Sequence, residues 1–177
     1  MFNKLLIEHD HIRKTLNLLE MLFLDLCRGG TPDLSMMRSI VVYVQEYPEQ
    51  SHHPLEDMIY SILLEREEKV GLLHDLLTDH TELELMTRKL RESVELYIKG
   101  GFSKEMLKHQ LSIFLIKQRQ HLYIEEIEIY PLAQRILTKA DWRKIQSTVL
   151  RKDDPVFGKR TQNDYELLYR EIEGDNK

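Results

Sequence analysis

The stretch Ser51-His52-His53-Pro54-Leu55-Glu56-Asp57 decides how the chain is read. It sets two imidazoles ahead of two carboxylates, with one proline between them. His52 and Glu56 are four residues apart, which on a helix puts them on one face, a turn apart, about 6 Å along the axis. One nitrogen and one carboxylate ligand then lie over the same spot. Downstream, His121-Leu122-Tyr123-Ile124-Glu125-Glu126 repeats the arrangement, with His121 and Glu125 in the same order at the same spacing. One such pair is weak; two, on separate amphipathic segments, ask for a common cause. The spacing predicts two walls of a dinuclear metal site inside a helical bundle.

The rest of the composition agrees with that reading. The chain has 177 residues, enough for one domain with a substantial core. Hydrophobic residues make up 42% and charged residues 31%, with few glycines and prolines, the profile of a soluble, mostly helical protein. The net charge of −5 and the lack of a dense basic cluster predict no nucleic-acid surface. Cys27 is the single cysteine and has no intrachain partner, as expected in a reducing compartment. Glu8, His9 and Asp10 interrupt the early apolar residues, so no signal peptide is read there. No apolar run approaches the ~20 residues of a membrane span. These features predict a cytoplasmic protein with no membrane partner.

Outward from the opening stretch, four long amphipathic segments follow one another. Over 2–27, Leu5, Ile12, Leu16, Leu19, Phe23 and Leu26 recur at steps of three and four, and His9 fills the gap in their stripe. His11 falls off the stripe and is read as a surface residue. Over 35–67, Met37, Val41, Val44, His52, Leu55, Ile59 and Leu63 share a face. Pro48 predicts a kink there, and Pro54 so soon after predicts a local break over 50–53. Over 72–98, Leu73, Leu76, Leu77, Leu83, Leu90, Val94 and Tyr97 form the stripe, with His80 and Thr87 its polar exceptions. Ser103 is read as the N-cap of a fourth segment reaching 137, with Leu107, Leu111, Phe114, Gln118, His121, Glu125, Ile129 and Leu132 inward and Pro131 near its end. Thr138 with Asp141 predicts a capped fifth helix docked through Trp142, Ile145 and Val149. Tyr165, Leu168, Tyr169 and Ile172 predict a last short one. The expected fold is all-α: an up-down-up-down four-helix bundle over 1–137, with short additional C-terminal helices over 138–177 packed on it.

That topology permits a geometric check. His9 is 18 residues before Cys27, His52 is 17 after Ser35, His80 is 18 before Ile98, and His121 is 18 after Ser103. In antiparallel order those four ends coincide, so all four histidines fall at one depth, roughly 26 Å from that end. A lone histidine in an apolar stripe is usually a hydrogen-bonded core residue. Four imidazoles and two carboxylates at one depth are different, because without a cation each unpaired group costs several kcal/mol. His9, His52, Glu56, His80, His121 and Glu125 are therefore the candidate metal ligands. His11, His53, Asp57, Glu126, His74 and His109 are read as exposed residues or as groups behind the ligands. Asp57 and Glu126 are candidate partners for the outer ring nitrogens of ligating histidines.

Glu8-His9, His52 to Asp57, Asp79-His80, and His121 to Glu126 followed by Tyr130-Pro131 together resemble the hemerythrin family, including bacterial HHE-domain proteins. The likeness spans Glu8 to Pro131. It implies a four-helix bundle with two non-haem iron ions joined by an oxo or hydroxo bridge. It implies His9, His52, His80 and His121 as terminal ligands, and Glu56 and Glu125 as bridging carboxylates. It also implies a small diatomic partner, dioxygen or nitric oxide, or the handling of iron itself.

The chain departs from the oxygen-carrying members in two ways. Those place an Asp five residues after the fourth-helix histidine, where this chain has Glu126; Glu125 keeps the four-residue spacing, so both stay in play. They also carry a fifth histidine four residues from the third-helix one, where this chain has Leu76 and Glu84. Two irons of about six positions each leave about two positions open after four histidines, two bridging carboxylates and a solvent bridge, unless Glu84 takes one. Two function classes follow. One is a non-enzymatic di-iron protein that binds or senses a small ligand or handles iron. The other is a di-iron enzyme of oxidase or peroxidase type, or an iron donor in iron–sulfur cluster repair. The His-x-x-x-Glu pattern differs from the Glu-x-x-His of ferritin-like oxidases, which favours the non-enzymatic class.

Overall fold

The computed structural model describes residues 2–66, 68–148, 153–159 and 161–174. Among them every regular element is helical and there is no strand. Four long helical stretches carry the fold. The first is α1, Phe2–Cys27. The second runs through α2, Leu34–Tyr47, a π-helical turn π1, Pro48–His52, and α3, His53–Glu65. The third is α4, Val70–Ile98. The fourth runs through α5, Lys104–Ile124, a second π-helical turn π2, Glu125–Ile129, and α6, Tyr130–Ile136. α1 packs on α2 and α5, and α4 packs on α2, α3 and α5.

The helix ends follow from local chemistry. Asp33 caps α2, its carboxylate accepting from the backbone N–H of Ser35 and Met36 at 2.9 Å each. Ser103 caps α5 through the Met106 N–H. α1 and α4 end alike. Gly29 (φ 87°) and Gly100 (φ 75°) adopt the left-handed backbone, and Gly30 and Gly101 donate back to the carbonyls of Asp25 and Leu96.

The proline-rich region of the second stretch is not broken, contrary to the expected break over 50–53. Helix continues through it, and the turn widens instead. His53 N–H donates to the carbonyl of Pro48, five residues back, and Tyr130 N–H does the same to Glu125. Both widened turns sit just ahead of a proline at the second position of the next helix, Pro54 and Pro131. A proline ring clashes with the carbonyl four residues back and has no N–H to offer it. The i→i+5 turn absorbs both problems without ending the helix.

Buried apolar residues form two clusters. One gathers Ile12, Leu16, Leu19, Met37, Val41, Leu90, Val94, Leu107, Leu111 and Phe114. The other gathers Leu5, Leu55, Ile59, Leu63, Leu73, Leu76, Ile129 and Tyr130. On the first three long stretches a histidine separates the two, His9 between Leu5 and Ile12, His52 between Tyr47 and Leu55, and His80 between Leu76 and Leu90; on the fourth, Glu125 lies between Leu122 and Ile129. The polar site is thus a layer between two dry ones.

Two short helices complete the described chain, α7, Lys139–Thr148, and α8, Glu166–Gly174, which follows a 3-10 turn, Asn163–Tyr165. Thr138 and Asp141 form the expected reciprocal cap, with Thr138 N–H on the Asp141 carboxylate at 2.7 Å. Arg66 also pairs with Asp141, at 2.7 Å. Ile145 is buried in the second apolar cluster with Trp142 packed against it, while Val156, Tyr165, Leu168 and Ile172 join the first. Val149 and Glu67, which the sequence reading included in its helices, lie outside the described residues.

Candidate metal centre

Each long stretch brings one inward histidine to the polar layer, and two of them also bring a glutamate. His9, His52, Glu56, His121 and Glu125 are at most 2% exposed, and His80 is 6%. The carboxylate oxygens divide between two sides. Glu56 Oε1 lies 3.4 Å from His9 Nε2 and 3.2 Å from His52 Nε2, and its Oε2 lies 3.5 Å from His80 Nε2. Glu125 Oε2 lies 3.4 Å from His9 Nε2, and its Oε1 lies 3.2 Å from His121 Nε2 and 3.5 Å from His80 Nε2. Each glutamate therefore offers one oxygen to His9 and the other to the α4–α5 histidines.

Among the described residues these side chains form two groups able to hold an ion: His9, His52 and Glu56, and then His53, Glu56, His80 and His121. Glu56 belongs to both. Among the described residues, the inward atoms His52 Nε2, Glu56 Oε2, His80 Nε2, His121 Nε2 and Glu125 Oε2 have no hydrogen-bond partner. Orphaned buried polar atoms are costly, and five of them aimed at one another fit a donor set awaiting a cation.

The outer nitrogens are arranged in a second pattern. His9 Nδ1 meets Glu126 Oε1 at 3.0 Å, His52 Nδ1 meets Glu8 Oε2 at 3.0 Å, and His80 Nδ1 meets Asp57 Oδ1 at 2.7 Å. His121 Nδ1 lies 3.8 Å from Asp79 Oδ2, an ion-pair distance longer than a hydrogen bond. In every case the acid comes from a neighbouring helical stretch, and it is adjacent in sequence to that stretch's own inward residue: Glu8 beside His9, Asp57 beside Glu56, Asp79 beside His80, Glu126 beside Glu125. Glu8 serves the second stretch, Asp57 the third, Asp79 the fourth, and Glu126 returns to the first, closing a ring. A carboxylate on Nδ1 keeps the proton there and turns the Nε2 lone pair inward. Arg13 donates to Glu126, and Lys117 to Asp79, holding those acids in turn.

The charges reinforce one another. Burial pulls the His9 imidazole down, but Glu125, Glu126 and Glu56 outweigh it and leave its pKa well above the ordinary value. Against the same burial, Asp57 with Glu125 and Glu56 draws His80 up to about 12, and Glu125 with Asp79 draws His121 up to about 9. Burial would raise Glu56, yet His52, His80 and His9 hold it well below the carboxylate range. Glu125 is likewise low, despite burial and the Glu56 charge, because of His121 and His80. In the absence of a cation, protons neutralise this layer, and a bound cation takes their place.

Several residues sit differently from the sequence reading. His53 is partly buried and turned inward, stacked on His80 with ring centroids 4.3 Å apart. Burial, then the neighbouring His80 charge, pushes it well below its ordinary pKa, which suits a neutral nitrogen ligand. Consecutive residues on a helix point about 100° apart, so His52 faces α1 while His53 faces α4. The choice between Glu125 and Glu126 resolves by position: Glu125 points inward, and Glu126 backs His9. Glu84 is exposed and does not join either group. Leu73, Leu76, His80, Leu83, Thr87, Leu90 and Val94 alternate by threes and fours as the buried seam of α4, and Glu84 falls on its flank. Its charge instead helps push the Glu49 carboxyl in π1, already raised by burial, to about 7. His11 is a contact of the C-terminal segment, stacked on Phe157 at 4.1 Å and 3.4 Å from Asp154.

Three tyrosines to which the sequence reading gave no role in the site reach the polar layer. Tyr60 Oη donates to Glu125 Oε1, Tyr47 Oη to Glu8 Oε1 at 3.1 Å, and Tyr130 Oη to Glu56 Oε1 at 2.5 Å. Burial and the Glu56 and Glu125 charges hold the Tyr130 phenol well above its ordinary pKa. Their signal was weak, since a tyrosine in an apolar stripe reads as core until its hydroxyl's partner is known. In comparisons with known proteins, no family model matches the chain and no curated protein matches it.

Proposed function

We propose that the chain is a hemerythrin-type protein: an up-down-up-down four-helix bundle, with short C-terminal helices added, that holds two non-haem irons and uses them to bind or sense a small ligand such as dioxygen or nitric oxide, or to handle iron. The observation that carries this reading is the division of Glu56 and Glu125, each presenting one oxygen to His9 and the other to the α4–α5 histidines. Two carboxylates split in this way suit two cations side by side. The neighbour relations of α1 to α5 support the bundle topology. The all-nitrogen-and-oxygen donor set suits iron, and it also accepts zinc or manganese.

His9 and His52 would hold one ion with Glu56 and Glu125, and His80 and His121, with His53 beside them, would hold the other with the same two carboxylates. Bound iron supplies the exchangeable coordination positions and the redox change that small-ligand binding needs. The chain does the remainder. Glu126, Glu8 and Asp57 hold the rings of His9, His52 and His80 through Nδ1, with Asp79 at ion-pair distance from His121, which would leave each Nε2 to face a metal. The two apolar clusters above and below exclude water from the layer.

Metal analysis and an optical spectrum of the aerobically purified protein test the reading. Two irons per chain are expected. One ion per chain, with Glu56→Ala harmless, overturns the dinuclear site; no metal, with stability unmoved by added iron, overturns the metal reading as a whole. Steady-state oxygen or peroxide consumption by the iron-loaded protein separates an enzyme from a binding protein, and little turnover is expected.

A further inference from the structure

We infer that Tyr130 is itself a metal ligand, its phenolate oxygen completing the ion held by His9 and His52; this rests on the dinuclear reading above. The two sides of the layer are unequal. The α4–α5 side has three histidines within reach, His53, His80 and His121, and the other side has two, His9 and His52. On the poorer side, and in contact with it, stands the Tyr130 hydroxyl, in a residue 1% exposed.

The position of that oxygen decides the matter. It lies 2.6 Å from His9 Nε2 and 2.5 Å from Glu56 Oε1, and those two atoms are 3.4 Å apart. They are the same two atoms that an ion on this side must use. With bonds of about 2.1 Å to both, the ion is confined to a small circle, and no point on it is farther than about 3 Å from the phenol oxygen. That gap is too small for a water to intervene. Once a cation replaces the protons of the layer, the His9 proton that remains sits on Nδ1 against Glu126, and Nε2 offers a lone pair and no proton with which to hold the hydroxyl away. An arriving cation takes both of the hydroxyl's hydrogen-bond partners. Movement of about an ångström then brings the oxygen to bonding distance of the metal. The phenolic O–H bond breaks, the metal–oxygen bond forms, the proton leaves to solvent, and no electron is transferred.

Tyr60 is the internal contrast. Its hydroxyl donates to Glu125 Oε1 and has no hydrogen bond to a histidine nitrogen. Nothing sets it between two ligands of one ion, and it is left as a donor to a bridging carboxylate.

The experiment uses the full chain loaded with iron(III), as wild type, Tyr130→Phe and Tyr60→Phe, with metal content measured on each sample. A phenolate on iron(III) gives a visible charge-transfer band, and excitation in that band enhances tyrosine ring vibrations. The expected result is a band in wild type and Tyr60→Phe, its loss in Tyr130→Phe at unchanged iron content, and a shift of the ring modes on incorporation of ring-deuterated tyrosine. The labelled wild type decides the question alone if Tyr130→Phe does not fold. Two irons per chain without tyrosine modes overturns the ligand assignment and leaves the di-iron reading standing. Failure of wild type to take up iron overturns both.

Discussion

Glu56 is in contact with both halves of the histidine layer, so on the proposed di-iron reading its loss should be felt by both ions, whereas a histidine would serve one. Glu56→Ala is expected to reduce bound metal from two per chain to less than one, and His53→Ala to no fewer than one, by metal analysis of purified protein. His9→Ala should lose metal and His11→Ala should not, since His11 reaches Asp154 and Phe157 instead. At this scale the sequence was most legible where period and chemistry agreed. His9, His52, His80 and His121 could be read because each interrupts an apolar stripe. His53 was not, because its inward turn depends on how far the preceding helix rotates. Glu84 misled, because four residues from His80 is nearly, but not fully, the same face. Tyr130 was invisible as a polar group, since nothing in a stripe reports where a hydroxyl points.

At the scale of elements, each helical stretch supplies an acid to its neighbour's histidine. Glu8→Gln should lower metal affinity by about 10–100-fold through His52, with helix content by circular dichroism unchanged. An unaltered affinity would mean that the packing of π1 alone orients that ring. The four helical stretches and most of their caps were legible, because Asp33, Ser103, Thr138 and the paired glycines act within a turn or two of themselves. The widened turns were not. A proline announces that regular hydrogen bonding fails, but whether the chain breaks, kinks or takes in an extra residue is settled by the partners on either side. Here Tyr47, Ser51, His52 and Ile129 are all buried, and those contacts keep the helix running.

For the whole molecule, a charged layer between two apolar clusters links stability to metal and to pH. Iron at a hundredfold excess over its dissociation constant should stabilise the fold by about 2.7 kcal/mol, read as a rise in melting temperature that a chelator reverses. The pH dependence should change sign with loading. In the metal-free protein His121 sits at about 9, above its unfolded value near 6.5. Its contribution is complete below about pH 6.5 and is lost as the pH rises through about 9. The metal-free protein should therefore weaken as the solution becomes alkaline, and the loaded one as it becomes acidic and protons displace the ions. Thermal melts across pH, with and without chelator, check both directions. The ring of outer acids has one more consequence, for assembly. It has a direction of travel: first stretch to second, second to third, third to fourth, fourth back to first. The same four helices wound round one another the opposite way would bury much the same apolar surface, which is why bundles need some device to choose a hand. In that mirror arrangement every acid would face the preceding helix, and none of the present acid–imidazole pairings would form. The acids thus act as a check on the hand of the fold as well as on the orientation of the rings.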